Sequence, residues 1–340
     1  MQLVRSVRAV LALVMMGTLA PLPPARAEVG EVRLASQFGL AYLPLLVMQH
    51  QRLIEKHAKA AGLGDVKATW TQFAGANVMN DALFSGNLEF ISVGPAPLGL
   101  LWARTKDSGN AVKGVAAYCS FPLYLNTRNP AVKSIRDFTN QDRIALPAVK
   151  VSGQALTLQM AAAKEWGEAN HARLDPLTVS QSHGDASAQL LSGKGTINAH
   201  FTAAPFHQQQ MKDPAIRTVL KSYDVVGGRA TAIILATTSR FREGNPKTYA
   251  AVLAALGEAI ATINGNRRAA AELYVKATNE KRNNVDEIVK MLEDPDFVYT
   301  LTPERTMPYV EFQHKVGRVP AVPSNWKELY FPEIHELPGS

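Results

Sequence analysis

Few side chains in this sequence are types that could do covalent chemistry, and none falls into a working pattern. A single cysteine, Cys119, leaves no disulfide framework and no multi-cysteine metal site. The eight histidines show no HExxH spacing; His50/His57 and His200/His207 are each seven apart. There is no G-x-S-x-G elbow for a serine nucleophile. Ser192-Gly-Lys-Gly-Thr196 imitates part of a phosphate loop, but it lacks the upstream glycine spacing and ends a helical pattern instead of starting one. No catalytic residue, metal site or cofactor is therefore expected. What remains is the chemistry of binding. Gly75 in Phe73-Ala-Gly-Ala-Asn77, Gly184 in Gln181-Ser-His-Gly-Asp185, and Val151-Ser-Gly153 each precede a helical stretch. Backbone N–H groups lie open at such junctions, and the helix dipole adds to their attraction for an anion.

Further candidate ligand contacts cluster near these junctions. Gln37, Phe38 and Tyr42 follow the first strand, where Gln37 can hydrogen-bond a ligand and the aromatics can pack on it or anchor the core. Asn77 can cap the next helix or offer its amide to a ligand. Gly94-Pro95 and Ala203-Ala204 allow close backbone approach, or simply turn the chain. Ser152, Gly153 and Gln154 combine a hydroxyl with helix N-terminal amides. His183 either gives an anion a charge-assisted hydrogen bond or is an ordinary surface histidine. Tyr223 is either a hinge residue or a ligand contact. Lys150 and Arg229 are the available charges, and solvated surface suits both, so an anion would depend on amides and dipoles.

The elements that must hold these residues alternate. Strands are expected at Val32–Ala35, Val66–Thr71, Leu88–Val93 and Val112–Cys119, with helices at Leu43–Lys59, Val78–Phe84 and Leu98–Arg104 between them. The alternation restarts at Leu123 and includes a helix at Ser152–Trp166, a helix at Ala186–Leu191 and strands at Val219–Val226 and Ala230–Thr237. The last third is helical, and its Pro-rich tail carries Trp326, Tyr330 and Phe331 as packing anchors. This is the pattern of a mostly parallel α/β protein. It also repeats. A small-residue loop, a helix, a Ser-Gly stop, a strand and a Pro-containing turn occur once around Ser85-Gly86 and again around Ser192-Gly193, 107 residues later.

Length and charge sharpen the outline. The chain has 340 residues, 36 Lys plus Arg and 29 Asp plus Glu. Arg5 and Arg8, the apolar run Ala9–Ala20 and Ala25-Arg-Ala27 read as a signal peptide cleaved after Ala27, too short to span a bilayer. Without it, 313 residues carry 33 basic and 29 acidic side chains, so the net charge falls from +7 to +4. The remaining basic residues are dispersed, which argues against nucleic acid. No cysteine begins the mature chain, so no lipid anchor is expected.

Several short segments, taken in order, resemble the periplasmic substrate-binding proteins of ABC importers for taurine, aliphatic sulfonates and nitrate. They are Val32-Arg-Leu-Ala-Ser-Gln-Phe38, Ala82-Leu-Phe-Ser-Gly-Asn-Leu-Glu-Phe90, Ser134-Ile-Arg-Asp-Phe138 before Ile144-Ala-Leu-Pro147, Gln189-Leu-Leu-Ser-Gly193, and Ser239-Arg-Phe241 before a long helix. The resemblance implies the type II periplasmic binding protein fold, an α/β fold of two lobes with a ligand cleft between them. It implies lobe one from residues 28–119 and 227–340, lobe two from 120–226, and crossings near Cys119–Pro122 and Tyr223–Gly228. It further implies a periplasmic monomer that carries a small solute to a permease with a separate ATPase subunit. The sequence departs from the family in one place: an acid usually follows both Ser-Gly stops, and here it is Glu89 in the first and Asn198 in the second. Two alternatives stay open, a thiamine-pyrimidine-precursor-related binding protein or enzyme of the same fold, and a ligand-sensing adaptor for a membrane receptor.

Overall fold

The structure, a computed structural model, describes residues 27–73 and 76–340; for Ala76 and Asn77 it describes the backbone. Most of the expected signal peptide, and Gly75, lie outside the described residues.

In chain order, β1 (Glu31–Ser36) leads through a short turn into α1 (Leu43–His50) and α2 (Leu53–Ala60). A single helix was expected here. Arg52 instead adopts left-handed backbone at φ 52°, so the continuous apolar pattern hides a break. Next come β2 (Lys67–Gln72), α3 (Ala76–Phe84), β3 (Ile91–Val93), α4 (Pro95–Thr105) and β4 (Val112–Ser120). The second region comprises β5 (Tyr124–Thr127), β6 (Ile144–Leu146), α5 (Gly153–Trp166), β7 (Thr178–Ser180), α6 (His183–Ser192), β8 (Ala199–Thr202), α7 (Phe206–Met211), β9 (Arg217–Lys221) and α8 (Ser222–Val226). The expected strand Val219–Val226 therefore turns helical at Ser222, and Gly227 closes that turn at φ 85°. Then β10 (Thr231–Thr238) precedes α9 (Ser239–Gly244), α10 (Pro246–Gly265), α11 (Arg267–Thr278), α12 (Val285–Leu292) and α13 (Met307–Lys315).

The second sheet runs β7-β6-β8-β5-β9, with β6 parallel to β7 and β8, and β5 antiparallel to both neighbours. The first side of the molecule has the same plan. β2 pairs parallel with β1, a parallel bridge at Leu34–Phe90 joins β1 to the start of β3, and β3-β10-β4 continue antiparallel. Strand β10 thus fills in one sheet the place that β5 fills in the other, because the chain crosses after β4 and returns before β10.

The repeat extends to single side chains. Gly86 and Gly193 end α3 and α6 in left-handed backbone, at φ 73° and 64°. Three residues after Gly86, the Glu89 carboxylate accepts the Arg33 N–H at 2.7 Å, and five residues after Gly193 the Asn198 side-chain oxygen accepts the Arg143 N–H at 2.9 Å. Both sites bind the neighbouring strand's backbone, so the departure at Asn198 preserves the hydrogen bond. The partners differ to match: Glu89 pairs with the Arg33 guanidinium, whereas the Asn198 amide donates to buried Asp142 at 2.7 Å.

Buried apolar side chains fill the space between sheets and helices on both sides. The tail closes over β4: Tyr330 and Phe331 are buried, and the Phe331 N–H donates to Gly114 at 2.9 Å. Cys119 is fully buried on β4, where loss of water holds its thiol well above its usual pKa, so it acts as a small apolar side chain. No helix among the described residues is long and apolar enough to cross a membrane.

Candidate functional site

The junctions at the carboxyl ends of β1, β3, β6 and β8 face one another across a cleft, where open α/β sheets bind ligands. Its inner part is a cavity of about 70 Å³. One wall comes from the β1 side: Gln37, Phe38, Tyr42 and Gly94. The opposite wall comes from the second sheet: Ser152, Gly153, Gln154, His183 and Ala203. Sequence reasoning missed Phe121, Leu123, Phe206 and Ile233, which add to the apolar lining. Phe121 and Leu123 sit at the first chain crossing, Phe206 on the short helix α7, which no periodicity announces, and Ile233 on β10.

The polar side of the cavity combines a hydroxyl, two side-chain amides, a histidine and backbone N–H groups. Ser152 lies at the N-cap of α5 with extended backbone, and its Oγ accepts the Ala155 N–H at 3.2 Å. Its own hydroxyl hydrogen is left to donate. The first helical bond runs from Leu156 N to Ser152 O, so the N–H groups of Gly153 and Gln154 precede the ladder and stay open. The junction at α4 differs. Pro95 and Pro97 in its first turn carry no N–H, and Pro95 is buried outside the cavity lining. Gly94 does line it, and a Cβ there would stand 3.1 Å from the Ala232 carbonyl oxygen of β10.

His183 differs from both readings of the sequence. It is neither a surface residue nor a cation, because burial pushes its pKa down to about 4. Its ring stacks on Phe206 with centroids 5.7 Å apart and meets buried His200 through a 2.9 Å hydrogen bond. Among the described residues, no Lys, Arg, Asp or Glu lines the inner cavity. Lys150 and Arg229 lie elsewhere; the latter pairs with Glu304 at 2.7 Å.

Gly184 lines an outer chamber of about 610 Å³, which shares Gln37, Phe38, Tyr42 and Phe206 with the inner cavity and adds Trp70 and Tyr274. Tyr223 lines neither. Its hydroxyl donates to the Asp296 carbonyl at 3.1 Å, close to the return crossing. The helix α3 begins at Ala76, so Asn77 sits inside its first turn and not at the cap.

The two sides touch around the cleft. The Leu40 N–H donates to the Ala204 carbonyl at 3.2 Å, and Gly39 reaches that carbonyl only with φ at 124° and no Cβ. Farther out, Gln209 donates to Glu280 at 3.2 Å, Lys212 pairs with Glu287 at 2.7 Å, and Lys221 pairs with Asp296 at 2.6 Å. Lys212 and Lys221 link the second sheet's side to the helical third in this way.

Solved structures similar to this one include periplasmic binding proteins. The alkanesulfonate-binding protein SsuA from Xanthomonas axonopodis pv. citri, bound to MOPS, matches with a TM-score of 0.66 at 16% identity, over 87% of this chain and 96% of its own. The chain has the periplasmic binding protein fold. The nitrate-binding protein NrtA from Synechocystis PCC 6803 gives a TM-score of 0.65 at 12% identity, over 88% and 84% of the two chains. The aliphatic sulphonate-binding protein SsuA from Escherichia coli gives 0.62 at 17%, over 89% and 92%. No protein-family model matches the sequence, and no curated protein matches it.

Proposed function

We propose that the protein is the periplasmic solute-binding component of an ABC importer. Residues 28–119 with 227–340, and residues 120–226, form the two lobes, which close on a small acceptor-rich anion such as a sulfonate, nitrate or a related organic acid. The observation that carries this reading is the closed inner cavity, where helix N-terminal amides and neutral side-chain donors converge without a charged side chain. About 70 Å³ has room for ~5 waters, enough for one oxoacid head group. The Ser152 hydroxyl, the Gly153 and Gln154 N–H groups and the Gln154 amide hold that head, His183 orients the Gln154 amide, and Gln37 closes on it from the facing lobe. Phe38, Tyr42 and Phe206 pack on the carbon skeleton, which extends into the outer chamber. Amides can hold a desolvated anion without a counter-charge when the helix dipole adds to them.

The protein breaks no bond. It opens by rotation about the crossings at 120–122 and 223–228 and hands the solute to a permease driven by a separate ATPase subunit. It works as an exported monomer, cut from its signal peptide after Ala27. The sulfonate- and nitrate-binding proteins of like fold support this reading. A thermal-shift and calorimetric panel of sulfonates, nitrate, carboxylates and pyrimidines on ligand-stripped protein tests it. A stabilising response to a sulfonate, nitrate or a carboxylate is expected; a protein that answers to none of them would sink the proposal.

A further inference from the structure

Behind His183, a file of buried polar side chains crosses the second sheet. His183 Nδ1 lies 2.9 Å from His200 Nε2, and His200 Nδ1 lies 2.8 Å from the Gln210 amide nitrogen. That nitrogen also donates to Ser187 Oγ at 3.2 Å, while the Gln210 oxygen accepts from the Asn126 amide at 2.8 Å. Asn126 reaches His207 Nδ1 at 3.2 Å, and its oxygen accepts the Thr218 hydroxyl at 2.8 Å. Asn126, His200 and Gln210 are completely buried. Apolar side chains of like size could fill this space at no loss of stability, so the file calls for a role beyond packing.

Its hydrogen bonds have a direction. A neutral imidazole has one donor and one acceptor nitrogen. Gln210 donates to His200 Nδ1, so the His200 proton sits on Nε2 and is aimed at His183 Nδ1. The His183 proton then sits on Nε2, the nitrogen beside Gln154 at 3.3 Å. Among the described residues the Gln154 amide has no second partner, so it turns its oxygen to that proton and leaves its NH₂ for the cavity. The amides of Gln210 and Asn126 meet three partners each and set the direction.

Building on the solute-site reading, we propose that His183 is a specificity-determining residue. Its tautomer is fixed from behind by His200, Gln210 and Asn126, and its Nε2 proton, held by the Gln154 oxygen, turns the Gln154 NH₂ to the ligand as a neutral donor. The cavity therefore selects an oxo group that is uncharged or singly negative, and rejects ammonium and amidinium heads, which would set donor against donor.

Nitrogen-15 imidazole spectra of the ligand-free protein at pH 7 test the file. The expected result is neutral His183 and His200, both protonated at Nε2, with a through-hydrogen-bond nitrogen–nitrogen coupling from His200 Nε2 to His183 Nδ1. A proton on His183 Nδ1, which both buried amides turned over would produce, or an imidazolium, overturns the proposal. Calorimetry with methanesulfonate and methylammonium tests the selection. Wild type takes the first and not the second. His183→Phe keeps a ring against Phe206 without an N–H and weakens methanesulfonate about ten- to a hundredfold; His183→Gln restores a donor and recovers most of it. Unchanged affinity in the Phe variant refutes the selective role and leaves the solute site standing. If wild type takes neither probe, the assignment of the cavity head site fails, while the nitrogen spectra still decide the file.

Discussion

Replacing Ser152 with Asp separates the two jobs assigned to that residue. Asp caps helices as well as Ser does, so α5 should keep its cap and gain charge–dipole attraction. The ligand-free variant should stay within about 1 kcal/mol of wild type, because the open Gly153 and Gln154 N–H groups can solvate the carboxylate. The cavity changes far more. It has no charged side chain among its described residues, and the new carboxylate would stand about 4 Å from the oxygens of a bound anion. At an effective dielectric constant of about 20, that repulsion is about 4 kcal/mol, or roughly a thousandfold in affinity. Ser152→Gly provides the control. It costs the cap only a few tenths of a kcal/mol and removes one donor, for a loss of about tenfold. Calorimetry with the best sulfonate or carboxylate of the panel measures both, and chemical denaturation measures the fold. If Ser152→Asp binds that anion as wild type does, the α5 junction is not where the anion sits.

Three further outcomes follow from the packing. Gly114→Ala should destabilise by about 1–3 kcal/mol in denaturant titration, because its Cβ would stand 2.6 Å from Cε1 of the buried Tyr330 ring; solute affinity below the melting transition should not change. Lys212→Ala removes the ion pair to Glu287 between the two sides of the molecule and should loosen closure by ~0.2–1 kcal/mol; scattering would show a larger radius of gyration at low salt and no difference at high salt. Burial raises the pKa of Glu28, but hydrogen bonds from the Thr248 hydroxyl and the Lys247 and Thr248 N–H groups outweigh it and hold the carboxyl below its usual range. Glu28→Ala should therefore cost about 1 kcal/mol at neutral pH, and this gap should close as the pH falls through the lowered pKa, since a protonated Glu28 no longer stabilises the start of α10.

The fold was legible in the sequence because it rests on periodic signals. The alternation of strands and helices, the two Ser-Gly stops and the small-residue loops are local patterns, and each matches a backbone requirement seen in the structure, such as the left-handed Gly86 and Gly193. The cavity was legible in part for the same reason: Ser152, Gly153 and Gln154 announce a helix start. The illegible features depend on distant parts of the chain. Val219–Val226 has the composition of a strand, yet the Leu123 N–H donates to the Ser222 hydroxyl at 2.8 Å and Gly227 stops a helical turn, both set by the crossing. Tyr223 sits near that crossing but points to the Asp296 carbonyl. His183 looked like a loop histidine because its partners His200, Gln210 and Asn126 lie on β8, α7 and β5, and no spacing rule links three separate elements.

The state of His183 also predicts how binding depends on pH. Burial holds His183 at about 4 and His200 well below its usual range; His207 is held at about 4 by burial and then by Lys221. His183 and His200 face each other, His207 stacks on Tyr124 and meets Asn126, and Tyr42, the other titratable lining side chain, is raised above its usual value by burial and then by Cys119. Nothing lining the cavity changes charge between about pH 5.5 and 8.5, so affinity for methanesulfonate, itself ionised throughout, should stay flat within about twofold. A cationic histidine contact would instead lose affinity about tenfold per unit above its pKa. Stability should respond differently. The unfolded histidines take up protons near pH 6.5 and the folded ones do not, so their contribution is complete above 6.5 and falls by up to about 1.4 kcal/mol per unit per residue as pH drops toward 4. Calorimetric titrations at pH 5.5, 7 and 8.5, beside melting curves at the same values, read both effects. A dissociation constant that rises steeply between pH 6 and 8 would mean that His183 meets its ligand as a cation, and the donor-only account of the cavity would fall with it.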